Sequence, residues 1–204
     1  MTILLLSGSP TTPSRSNQLL SFVDHRLKLL GYETAELQIK DLPHKALLLA
    51  DFSNCEIISA RELVNAADAI VIATPIYKAA YSGLLKAFLD LLPQDGLAGK
   101  IVLPIATAGS QSHMLALDYA LRPVLASLSA QQILPSIFAT SAQVQTQGLD
   151  AGQIDADILL RLQRGVEALT DALKAQEDRC AEELFPVLQR SFGQQPRQFA
   201  LDKV

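Results

Sequence analysis

Three short stretches hold the side chains that could do chemistry. In SGSPTTPSRSN, Ser7 to Asn17, hydroxyls crowd around a single guanidinium, Arg15. The stretch follows an unbroken apolar run, Ile3 to Leu6, and leads straight into an amphipathic segment. A loop between a strand and a helix start gathers free backbone N–H groups and the positive end of the helix dipole, which favours a phosphate. Ser and Thr hydroxyls can complete such a cage, and Arg15 adds charge and a planar fork of donors suited to phosphate oxygens. The same residues admit a plainer use, with Ser16 or Asn17 capping the helix and the prolines stiffening a turn.

The second stretch, Pro75 to Tyr81, follows another apolar run. Pro75, Ile76 and Tyr77 make a stiff rim against which a flat heterocycle can lie while backbone groups address its edge. The third, Thr107 to Gln111, places small residues around Gly109 and permits close backbone approach. Together the three suit a mononucleotide with a flat ring.

The elements that must position them follow from periodicity. Buried strands are expected at Ile3 to Leu6, Asp68 to Thr74 and Lys100 to Ala106, whose apolar runs suit a sheet covered on both faces. Tyr32 to Ile39 reads as a further strand, and Gln132 to Ala139 as a last one, interrupted by Pro135 and so placed at an edge. Helices are expected over Asn17 to Leu30, Ser59 to Ala67, Ser82 to Leu92, His113 to Leu128 and Ile154 to Ala175, while Asp41 to Ser59 reads as a loop with a short helical piece. Alternating strands and helices imply an α/β, doubly wound parallel sheet of five strands with right-handed crossovers, in the flavodoxin-like order 2-1-3-4-5. In that order ligands bind at the switch point between the first and third strands, outside their carboxyl ends. All three stretches lie at such ends.

With 204 residues, 49% hydrophobic and 19% charged, the chain suits one ordered domain. A net charge of -4 supplies no basic stripe for nucleic acid or an anionic membrane. Cys55 and Cys180 are far apart and carry no metal-ligand spacing, which fits a reducing compartment. With no secretory signal pattern and no span of transmembrane length, a cytoplasmic location is expected. GxGxxG and GxxxxGKS/T are both missing, which disfavours a Rossmann dinucleotide site and a P-loop nucleotidase. His25, His44 and His113 sit near neither a plausible nucleophile nor one another in sequence, so a Ser/His/Asp hydrolase would need tertiary contacts, and Glu182 with Glu183 reads as a solvated face.

GSP followed by PSRS, then ATPIYKAAYSGLLKAFLDLLP, GKIVLPIATAGS and DYALRPVLASL, together resemble the NADPH-dependent FMN reductases of the flavodoxin-like superfamily. Within it they are most similar to the reductase component of two-component alkanesulfonate monooxygenase systems. The resemblance covers roughly Met1 to Ala175. It implies FMN and NADPH as cofactors, reduced flavin handed to a sulfonate monooxygenase partner, and a homo-oligomer, dimer or tetramer. It also implies that Ser9, Ser14, Arg15 and Ser16 bind the FMN phosphate, that Pro75, Ile76, Tyr77 and Lys78 line the isoalloxazine, and that Thr107, Gly109 and Ser110 contact its far side. No catalytic side chain is expected, because the hydride chemistry belongs to the cofactors. Lys78 is the side chain expected to meet the NADPH phosphates, set against the plain reading of a solvated loop lysine. Thr11 stands where many members carry an arginine, leaving Arg15 as the phosphate's one guanidinium. An FMN-retaining reductase of quinones, azo dyes or metal oxyanions is the alternative. A flavodoxin-type electron carrier is disfavoured, since neither a TGxT loop nor a strongly acidic face is present.

Within His113 to Leu128, the stripe Met114, Leu117, Leu121, Val124 and Leu128 should face the sheet, and Tyr119 should point away. Pro123 frees the carbonyl of Tyr119, four residues back, and a π-bulge there would absorb the fault, set against the plain reading of an ordinary proline kink with an exposed tyrosine. The resemblance adds a tyrosine at a subunit interface in this helix. Residues 1–175 are thus expected to form the reductase domain. Gln176 to Val204 is expected to be a tail, either mobile or packed on a neighbouring subunit, with a short helix at Glu183 to Phe192.

Overall fold

The computed structural model describes residues 1–146 and 152–192. Parallel strands β1 (Thr2–Ser7), β2 (Glu33–Gln38), β3 (Ala69–Tyr77) and β5 (Ile101–Ala108) form the sheet, with β2 outside β1 and β3 between β1 and β5. The fifth parallel strand is split into β6 (Gln132–Ile133) and β7 (Ile137–Thr140), both paired with β5. The expected order is therefore kept. The break spans Leu134 to Ser136 and contains Pro135, which has no N–H to give the ladder. One short strand was not expected: β4 (Ala80–Tyr81) turns back antiparallel on the end of β3.

The strands alternate between two cores. Ile3, Leu5, Val71, Leu103 and Ile105 pack with α1 (Arg15–Leu29) and α6 (Ala156–Phe192) on one face. Leu4, Leu6, Ile70, Ile72 and Val102 pack on the other face, beneath α2 (His44–Leu48), α3 (Cys55–Ala66), α4 (Gly83–Leu89) and α5 (Arg122–Ser127). Burial on both faces explains why these strands read as unbroken apolar runs. It also places the crossover after β1 on the opposite face from the one after β3.

Four expectations need correction. Helix α3 begins at Cys55 rather than Ser59, because the Asn54 side-chain oxygen accepts from the N–H groups of Glu56 and Ile57 and caps it. Strand β3 runs past Thr74 to Tyr77, since β4 supplies it with a partner. Helix α6 does not stop at Ala175 but continues to Phe192, so the short helix expected at Glu183 to Phe192 is its last part. Residues 193–204 of the expected tail lie outside the described residues.

The fourth is the helix expected over His113 to Leu128, which is three pieces. A 3₁₀ turn, Gln111–His113, leads to a π-helix, Leu117–Leu121, and then to α5. The Arg122 N–H reaches the Leu117 carbonyl, five residues back. The next residue, Pro123, has no N–H with which to restore the regular ladder. A π-turn inserts one extra residue, which rotates the residues beyond it by about 100°. Consequently Leu125 rather than Val124 is fully buried beside Leu117 and Leu121; Met114, which precedes the π-helix, is exposed.

Candidate functional site

A cleft of about 140 Å³ opens at the carboxyl ends of β1, β3 and β5. Its walls are Ser9, Thr11, Pro13, Ser14 and Arg15 from the first loop, Pro75, Ile76 and Tyr77 from the second, and Thr107, Ala108 and Gly109 from the third, closed by Ser141. Larger hollows lie elsewhere, about 290 Å³ between α3 and the end of α4 and about 470 Å³ between α2 and α4. Volume alone does not make a site; convergent polar groups do, and the smaller cleft has them.

The first loop is held from below. Gly8 donates its N–H to the Ala73 carbonyl and accepts through its own carbonyl from the Ser82 hydroxyl. A Cβ on Gly8 would lie 2.9 Å from the Cβ of Leu85, so only glycine lets the loop sit this close to α4. Ser82 in turn caps α4, accepting from the Leu85 N–H at 3.1 Å. The plainer use of this loop is partly realised, by a different residue: Ser14 caps α1, its hydroxyl accepting from the Asn17 N–H. Asn17 instead accepts from the Ser7 hydroxyl. Ser16 is fully buried with its hydroxyl 3.0 Å from that of Ser14, so it steadies the cap rather than lining the cleft.

What remains at the helix start is donor capacity. The N–H groups of Arg15 and Ser16 have no carbonyl four residues back within the helix, and they stand at the positive end of its dipole. The Arg15 Nε donates to the Val144 carbonyl at 3.0 Å. Among the described residues its two Nη nitrogens have no protein partner, and Arg15 lines the cleft.

The rim is the end of a hairpin. Tyr77 pairs with Ala80, and the two residues between them, Lys78 and Ala79, have φ of 50° and 64°. Two successive left-handed residues are what a tight two-residue hairpin requires, although neither residue here is the usual Asn or Gly. Lys78 therefore sits exposed at the turn tip and does not line the cleft, unlike Pro75, Ile76 and Tyr77. In the third loop Thr107 is buried against the cleft, and a Cβ placed on Gly109 would meet no protein atom within 4 Å. The chain's own packing thus makes no demand for glycine there. Ser110 lies off the cleft, its hydroxyl accepting from the Ser112 N–H at 3.1 Å.

Two contributors went unread in the sequence. Ser141, which donates from its hydroxyl to the Ala108 carbonyl at 3.2 Å, and Val144, which holds Arg15, both follow β7. The rule that found the other loops, that ligands gather at carboxyl ends, applies equally to this one. Tyr119 lies in the π-helix and is 80% exposed, with Met114 and Leu115 exposed on the same stretch.

The family described as NADPH-dependent FMN reductase matches residues 1–145. Over 144 residues the chain is 46% identical to the FMN reductase (NADPH) of Escherichia coli K12, covering 71% of this chain and 75% of that one. Over 174 residues it is 44% identical to the FMN reductase (NADPH) of Pseudomonas putida, covering 85% and 88%. Among solved structures, the apo form of the NADH:FMN oxidoreductase EMOB superposes with a TM-score of 0.75 at 39% identity, covering 82% of this chain and 87% of that one.

Proposed function

The chain belongs to the NADPH-dependent FMN reductase family, and from that premise we propose that it reduces FMN with NADPH and releases the reduced flavin to a flavin-dependent monooxygenase acting on sulfonates. It is an oxidoreductase, and its cofactors are FMN and NADPH. The observation that carries the reading is the meeting, in one cleft, of helix-start N–H groups and an Arg15 fork end that have no partner among the described residues, with a glycine floor that no neighbouring atom requires.

These residues fit FMN. Arg15, with the N–H groups of Arg15 and Ser16 and the Ser9, Thr11 and Ser14 hydroxyls, would hold the phosphate. Pro75 to Tyr77 would take one edge of the ring, and the Thr107 to Gly109 backbone would approach its other side. When bound, the flavin and nicotinamide supply the hydride transfer themselves. The chain's tasks are to orient, and to place N–H donors where negative charge develops. Accordingly, no general base is assigned.

The cleft's small volume leaves much of a flavin ring uncovered, which is compatible with release. About 140 Å³ is below the roughly 300–1,000 Å³ of sites that enclose a ligand. One face of a flat ring would stay open to a second planar group or to a neighbouring subunit. Tyr119, exposed with Met114 and Leu115, supports a homo-oligomer, dimer or tetramer, whose interface lies on the π-helix. The match to residues 1–145 and the coverage of relatives support a reductase domain over residues 1–175, whose last helix, α6, continues past Ala175.

The test is to purify the protein, supply NADPH and grade the FMN well beyond the enzyme concentration. A rate of NADPH oxidation that rises and saturates with added FMN supports the supplier reading. Firmly co-purified FMN, no gain from added FMN, and ping-pong kinetics with a quinone would replace it by the FMN-retaining reductase.

A further inference from the structure

The loop after β7 meets the arginine of the cleft through the Val144 carbonyl, and the turn that precedes this carbonyl is closed by the Gln143 side chain. The Gln143 side-chain oxygen accepts from both the N–H and the hydroxyl of Thr140, each at 3.0 Å. The Gln143 N–H donates to the Thr140 carbonyl at 3.1 Å, closing the turn a second time, and its carbonyl accepts from the Asp155 N–H at 2.9 Å. The next residue is Val144, fully buried in the core shared with α1 and α6 and bridged to Ile154. Its carbonyl accepts from the Arg15 Nε.

We infer that Gln143 is a positioning residue for anion binding: it fixes the turn that presents the Val144 carbonyl to Arg15, and so aims the guanidinium into the cleft. Arginine has several rotatable bonds, and holding it in one geometry costs entropy on each binding event. Anchoring Nε to a fixed carbonyl removes most of that cost in advance and leaves the two Nη groups as a fork toward a phosphate. Lysine at position 15 would offer neither the anchor nor the fork. Among the described residues the Gln143 side chain bonds only through its acceptor oxygen, so the effect is expected to depend on that atom and not on the bulk of the side chain.

The positioning role rests on the cleft being an FMN phosphate site, and a double-mutant cycle separates the two claims. FMN and riboflavin are titrated onto wild type, Gln143→Met, Arg15→Ala and the double variant, with thermal midpoints recorded for each. Gln143→Met is expected to raise the FMN Kd about three- to tenfold, the scale of one net hydrogen bond. It should leave riboflavin unchanged and add nothing further in the Arg15→Ala background. Thr140→Val, which keeps the N–H bond to Gln143 and loses only the hydroxyl bond, should shift FMN the same way by less. It takes the place of Gln143→Met in the cycle if that variant does not fold. A loss shared equally by FMN and riboflavin, or one that persists undiminished without Arg15, overturns the positioning role. If Arg15→Ala discriminates against FMN while Gln143→Met and Thr140→Val are silent, the positioning role alone falls. If Arg15→Ala does not distinguish FMN from riboflavin, the phosphate site falls and the positioning role with it.

Discussion

The two ends of the same sheet treat their polar groups in opposite ways. At the amino end, Lys100 is buried and its ammonium donates to the carbonyls of Asn65 and Ala67 at 2.8 and 2.7 Å. Asp68 accepts from the Thr2 N–H at 2.7 Å, and its own N–H returns to the Thr2 carbonyl. These donors and acceptors face one another. Burial lowers the Lys100 pKa from its ordinary value, with Asp68 opposing the shift. Such a perturbed lysine invites a catalytic reading, but two of its three N–H donors are already spent on the carbonyls at the end of α3. At the carboxyl end the scaffold is tied just as firmly, through Gly8, Ser82 and Ala73, yet among the described residues the outward donors of Arg15 and the helix start have no protein partners. A perturbed residue is therefore weaker evidence of a site than a set of donors that the fold holds in place and does not satisfy.

The contrast between the two ends can be broken most forcefully at Lys100. Lys100→Met leaves two carbonyls unpaired and is expected to cost about 2 to 4 kcal/mol of stability with the FMN Kd unchanged in the folded fraction. Denaturant unfolding beside a flavin titration checks both, and a loss of affinity without a loss of stability would put function at the wrong end. Ser82→Ala sits between the two ends in kind. It removes the α4 cap and the tie to Gly8, and should cost about 1 to 2 kcal/mol of stability while also weakening FMN, because the first loop is freed. Unaltered FMN binding in this variant would mean that the loop does not depend on its tie to α4.

Tyr119→Ala tests the outer surface near the carboxyl end. If the proposed oligomer forms through this surface, sedimentation should show it dissociating at least about tenfold more readily, as for an aromatic interface anchor, with the unfolding of the separated subunit little changed. An unaltered assembly state would leave Tyr119 a solvent-facing residue of the π-helix. The smallest effect is expected at the hairpin tip. Ala79→Gly relieves a left-handed alanine and should raise stability by up to about 1 kcal/mol, read as a small upward shift of the unfolding midpoint. A drop would show that the turn gains from the alanine methyl.

Much of this arrangement was legible in the residues, and the failures have physical causes. Strands covered on both faces announce themselves as apolar runs, so β1, β3 and β5 and the loops at their ends were readable. Ser16 was not, because a hydroxyl that turns inward to steady a cap looks the same in sequence as one that faces a ligand. Val144 contributes a carbonyl, which every residue has, and only the fold reveals which one Arg15 reaches. Pro123 exposed the fault in its helix, yet the one-residue shift that exchanges Val124 for Leu125 follows from where the extra residue is inserted. The length of α6 was missed for another reason. The change to polar composition after Ala175 read as a tail, although Ala, Glu, Gln, Leu and Arg are all good helix formers.

Whether the carboxyl end of the sheet holds a phosphate through Arg15 is tested most directly by titrating FMN and riboflavin onto wild type and Arg15→Ala. FMN should weaken by about 1.5 to 3 kcal/mol, the range for hydrogen bonds to a charged group, with riboflavin, which lacks the phosphate, unchanged. Equal weakening of both flavins, or of neither, would contradict the assignment.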